Sequence, residues 1–83
     1  MTDIKLDTME KVYAFVKIAE RFPFRILVKQ SDYVVDGRSI LGICSLNLAD
    51  WLTMCIPELS ETRKDIVEYD NLMDELNSMG IVK

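Results

Sequence analysis

Apolar and polar positions along this chain follow short, readable periods. Ile4-Lys5-Leu6 alternates, which suits a short strand. Asp7-Thr8-Met9-Glu10 then carries helix-start chemistry. Asp7 or Thr8 can supply a capping oxygen, and Glu10 follows Asp7 at the spacing of a capping box. Val12, Phe15, Val16, Ala19 and Phe22 recur at helical spacing and form one apolar stripe. Pro23 closes that helix, because its ring drives the preceding residue out of the α region.

Beyond the proline, Phe24 to Lys29 is rich in strand-forming residues, with Phe24, Ile26 and Val28 on one face. Gln30-Ser31-Asp32 is a polar turn, and Tyr33-Val34-Val35 a second strand, so the pair predicts a hairpin. Asp36-Gly37-Arg38-Ser39 interrupts the chain again. Ile40 to Leu46 is a short apolar segment containing Gly42, too short and too apolar for a surface helix with a full polar face. Leu52 to Ile56 alternates and closes at Pro57, which predicts another strand. Ser60 or Thr62 caps a last helix whose stripe is Ile66, Tyr69, Leu72, Met73, Leu76 and Met79. Gly80 sits where the residue after a helix C-cap belongs, and Ile81 can make the apolar contact that follows it. The predicted order is β-α-β-β-α-β-α. The expected fold class is α+β, a four-stranded sheet with helices on one face, over a single domain spanning residues 1–83.

Composition narrows the classes of function. About half the residues are apolar, an ordinary globular proportion, and no apolar run approaches the roughly 20 residues of a membrane span. The first residues show neither a basic segment nor an apolar one of signal-peptide type, so a cytoplasmic location is expected. The net charge of −4, with lysines and arginines scattered, argues against nucleic acid as a partner. Cys44 and Cys55 form no metal-ligand spacing and the chain has no histidine, so neither a zinc site nor any cofactor is expected, and both thiols are expected to be free.

The stretch Val35-Asp36-Gly37-Arg38-Ser39-Ile40-Leu41-Gly42-Ile43-Cys44-Ser45-Leu46 resembles the second signature of the histidine-containing phosphocarrier protein family (HPr) of the sugar phosphotransferase system. That signature has the form Val-Asn/Asp-Ala/Leu-Lys-Ser-Ile-Met-Gly-Val-Met-Ser-Leu, and its Ser, aliphatic pair, Gly and second Ser recur here. The resemblance implies the family's open-faced β-sandwich, whose element order is the one predicted above. Counting back without a gap places Thr8 at the family's active histidine, and Thr8-Met9-Glu10-Lys11-Val12 replaces its His-Ala-Arg-Pro-Ala. A chain without histidine has no imidazole to carry a labile phosphoryl group, so phosphocarrier activity is not expected. Thr8 lacks a base to activate it and suits a capping role.

Two further implications concern the retained signature. Ser39 matches the serine that a dedicated kinase phosphorylates in HPr of many Gram-positive bacteria, and Arg38 beside it is a candidate to pair with a phosphate. Ile40, Leu41 and Cys44 match the family's partner-docking face. The plainer alternatives are a helix-capping Ser39 and an apolar stretch that is simply core. Paralogues known as Crh, which lack the histidine and keep the serine, are similar in this respect.

The leading expectation is therefore a non-catalytic regulatory or adaptor module. It would bind a protein partner, such as a kinase or a transcriptional regulator, through Arg38, Ile40, Leu41 and Cys44, with Ser39 as a phosphorylation candidate. The alternatives are a small-molecule-binding or dimerising α/β module, and a decayed paralogue without a transfer role. No nucleophile stands with a paired acid and base, so no enzyme is expected. Trp51 is expected to pack under a loop. Met54, Met73 and Met79 are expected in the core, and the carboxylates from Glu58 to Glu75 on a solvated face.

Overall fold

A computed structural model describes residues 1–82. The elements are β1 (Thr2–Ile4), α1 (Met9–Arg21), β2 (Leu27–Gln30), β3 (Tyr33–Asp36), α2 (Ile40–Cys44), β4 (Leu52–Cys55) and α3 (Arg63–Ser78). The four strands form one antiparallel sheet in the order β1-β4-β2-β3. Together with three helices this is the expected α+β open-faced β-sandwich.

The register explains which face the helices cover. Ile4 stands opposite Leu52, and Val28 lies between Met54 and Val35. Ile4, Val28, Leu52 and Met54 are buried in one cluster with Val12, Phe15, Val16 and Ala19 of α1 and Leu72 and Leu76 of α3. The intervening residues Asp3, Lys29, Thr53 and Val34 pair across the sheet in one row on the opposite, open face. Every member of the predicted α1 stripe is buried, and Ile18 joins it.

The helix ends follow local chemistry. Thr8, not Asp7, caps α1, and its Oγ1 accepts from Lys11 N–H at 3.2 Å. The capping box expected from Asp7 and Glu10 is absent, because moving the cap to Thr8 puts Lys11, not Glu10, three residues on. Phe22 turns to extended backbone before Pro23. Thr62 caps α3. At its other end Gly80 N–H donates to Asn77 O at 3.0 Å and Ile81 N–H to Leu76 O at 3.1 Å. That is the paired bonding of a Schellman motif, with Gly80 at φ 69 and Ile81 fully buried.

Boundaries differ from the expectation at all four strands; β2 runs on to Gln30 and β3 to Asp36, one residue further each. β1 is Thr2–Ile4 and not Ile4 to Leu6, because its pairing with β4 ends at Leu52 and Lys5 N–H turns to Ile81 O at 2.8 Å. β2 begins at Leu27 and not Phe24, because β4 ends opposite Leu27 and offers no partner further back. β4 stops at Cys55, one residue short, with Leu27 its last partner on β2. The α3 stripe is also shorter than expected. Only Leu72 and Leu76 are fully buried, Tyr69 and Met73 are half-buried, and Ile66 and Met79 are exposed. Helix α3 packs on α1, and the Arg21–Glu75 ion pair at 2.7 Å marks that contact in its C-terminal half, so the first turns face water.

Candidate functional site

The surface around α2 is built by the turn Asp36-Gly37-Arg38-Ser39. Gly37 N–H donates to Ile26 O at 2.7 Å, and a Cβ there would stand 2.9 Å from that same oxygen. Only glycine lets the chain leave β3 so close to the neighbouring strand. Asp36 then holds the turn from both ends of the residue. Its Oδ1 accepts from Arg38 N–H at 2.8 Å and its carbonyl from Ser39 N–H at 3.0 Å.

This turn delivers Ser39 to the N-cap of α2, where its Oγ accepts from Gly42 N–H at 3.0 Å. At the other end Ser45 Oγ donates to Gly42 O at 2.6 Å. A Cβ on Gly42 would lie 3.1 Å from Val35 Cβ, so glycine is what brings the backbone of α2 down onto β3. A five-residue helix seated this way buries one side and shows the other. Ile43 is fully buried, while Ile40 is 36% and Leu41 85% exposed, and Cys44 is exposed as well. Helix α1, which contacts α2, also has exposed apolar residues, Met9 and Tyr13.

Arg38 has a different place from the one expected. Its guanidinium donates to Phe22 O at 3.2 Å and Phe24 O at 3.4 Å, on either side of Pro23. It clamps the end of α1 to the β3–α2 turn and is not turned toward Ser39. Ser39 is half-buried and already engaged as a cap. Thr8 lies exposed at the start of α1 as a cap. Beside it, Asp7 accepts from Lys11 Nζ at 3.1 Å, and this hydrogen bond holds the Asp7 carboxyl below its ordinary range.

A concave region lies on the open face. Trp51 is 44% exposed, not packed under a loop as expected, and Lys5 Nζ sits 5.2 Å from its ring centroid. The expectation overlooked a signal in the sequence. Trp51 immediately precedes the buried Leu52, so strand alternation directs it to the open side. Next to it, the Gln30 amide makes two hydrogen bonds with the Asn47 main chain, at 2.8 and 2.7 Å, and fixes the loop before β4. Lys29, Asp50, Trp51 and Thr53 line the resulting depression of about 600 Å³.

Both cysteines are free thiols, and among the described residues no three His, Cys, Asp or Glu side chains group as metal ligands. Among the described residues no helix is long and apolar enough to cross a membrane. The fold and this surface define a small α+β domain that displays apolar side chains on a short helix over a sheet edge. No family model, no curated protein and no solved structure matches the chain.

Proposed function

We propose that this protein is a non-catalytic regulatory or adaptor module that binds a protein partner through the Ser39–Cys44 surface. The observation that carries the reading is the exposure of Leu41, 85% open to solvent on a helix whose neighbour Ile43 is fully buried. An isolated exposed leucine is ordinary, but here Ile40 and Cys44 share the same five-residue helix and are exposed too. The resemblance of this segment to the HPr signature supports the same surface, and it brings the cytoplasm and a kinase or transcriptional partner into the reading.

Ser39 is the point of control in this reading. A phosphate on its Oγ would add charge where the hydroxyl now caps Gly42 N–H, at the edge of the docking surface. Arg38 does not compensate that charge, since it is bound to Phe22 O and Phe24 O. Phosphorylation is therefore expected to weaken docking and not to order it. The chain carries no histidine, so histidine-based phosphoryl transfer lies outside its chemistry.

The test is affinity recovery of the partner from the native cell extract with Leu41→Asp as the altered form. Val67→Asp, on an exposed apolar position of α3, is the control. The expected result is a protein retained by the unaltered chain and the control and lost with Leu41→Asp. Equal recovery with all three would remove the α2 surface from the function.

A further inference from the structure

The two edges of the sheet are treated differently. On the outer side of β1, Lys5 N–H bonds to Ile81 O and Ile4 bridges to Val82, so the C-terminal residues cover that edge. The outer side of β3 has no such cover among the described residues. Its phase follows from the hairpin. Gln30 pairs with Tyr33 and Val28 with Val35, and Gly37 N–H continues the series to Ile26 O. In antiparallel pairing the residues between, Val34 and Asp36, turn their main-chain groups away from β2. Val34 N–H and C=O and Asp36 N–H are thus presented outward, while Asp36 O is taken by Ser39 N–H.

Sheet proteins usually blunt such an edge with lysine, proline or a bulge. Tyr33–Asp36 contains neither residue and pairs with β2 without interruption. Tyr33 and Val34 are 69% and 53% exposed. Above this strand sits α2, brought onto Val35 by Gly42, with Leu41 in solvent.

From these observations we infer that the β3 edge takes an extended peptide segment of the partner as a fifth strand. Main-chain hydrogen bonds to Val34 and Asp36 would supply the affinity, and alternate side chains the selectivity. On the helix side the peptide's residues are apolar and run beside α2. On the open side they are basic, because Asp32 and Asp36 flank Val34 there. A second copy of this chain fits less well. In the two-fold pairing centred on Val34, Asp32 of each copy would stand opposite Asp36 of the other, and like charges directly opposite destabilise a sheet. The inference rests on the α2 surface being the docking surface, and it names the form of the partner.

The test is a titration of the isotope-labelled full chain, followed by amide NMR, with a blocked hexapeptide alternating lysine and valine. Shifts and slowed exchange are expected at the Val34 and Asp36 amides, with shifts at Leu41. A glutamate counterpart is expected not to bind. Val34→Pro removes an N–H that faces away from β2, so the sheet keeps its own bonds. It is expected to weaken binding by about tenfold or more. Unchanged affinity in Val34→Pro, or equal binding of the glutamate peptide, would overturn the inference. So would protection of Val34 that grows with protein concentration alone, which would assign the edge to a second copy. If this titration fails while Leu41→Asp still releases the partner, strand addition falls and the α2 surface stands.

Discussion

Ser39 holds a structural role, to which the proposed function adds a regulatory one. Its hydroxyl caps a helix that contains only five residues, so the cap is a large part of what defines that helix. Phosphorylation would convert this acceptor into a dianion while Arg38 stays committed to the end of α1. Incubation with an HPr serine kinase and ATP is expected to add the mass of one phosphate, and Ser39→Ala to abolish it. An unchanged intact mass would leave Ser39 as a cap alone. A second residue-scale device is Asp65 in the first turn of α3. Ser60 Oγ donates to it at 2.6 Å and Ser60 N–H at 3.0 Å, and these bonds depress its pKa. A carboxyl whose folded pKa is lowered stabilises the fold above the unfolded value of about 3.9 and loses that contribution as pH falls through the lower folded value. Denaturation midpoints followed from neutral to acid pH are therefore expected to fall less steeply in Ser60→Ala than in the unaltered chain.

At the scale of elements, what the sequence made legible was what local chemistry decides. The α1 stripe, the stop at Pro23 and the Gly80-Ile81 ending are all visible in residue order because each depends on near neighbours in the chain. The strand ends were not, since β1, β2 and β4 stop where a partner strand stops. Ile66 and Met79 satisfy the helical period of α3 yet lie in solvent, because period identifies a face and not how far along the helix a neighbour reaches. The candidate site divides in the same way. Ser39 as a helix cap is a local feature and was visible; the commitment of Arg38 to two carbonyls across Pro23 is tertiary and was not. The ending of α3 supplies the element-scale test. Gly80 takes φ 69, where a Cβ is strained even though open space surrounds it. Gly80→Ala is expected to cost about 1–2 kcal/mol in chemical denaturation. A neutral result would mean that Ile81 can reach its buried position without the Schellman turn.

For the whole molecule, the arrangement separates holding from showing. One face of the sheet, two of the helices and Ile43 of α2 build the core, and α2 shows Ile40, Leu41 and Cys44 beside the uncovered edge. The other edge is closed by the chain's own C-terminal residues. Stability and binding should then be separable. Leu41 makes little burial, so Leu41→Asp is expected to change stability by no more than about 0.5 kcal/mol, the range of surface substitutions. The most direct test of the docking surface is photo-crosslinking in living cells with a benzophenone amino acid in place of Cys44. One discrete crosslinked species is expected, absent when Leu41→Asp is added to a chain that still unfolds at the same denaturant concentration. No crosslinked species, or one that survives Leu41→Asp undiminished, would contradict the assignment of this surface to a protein partner.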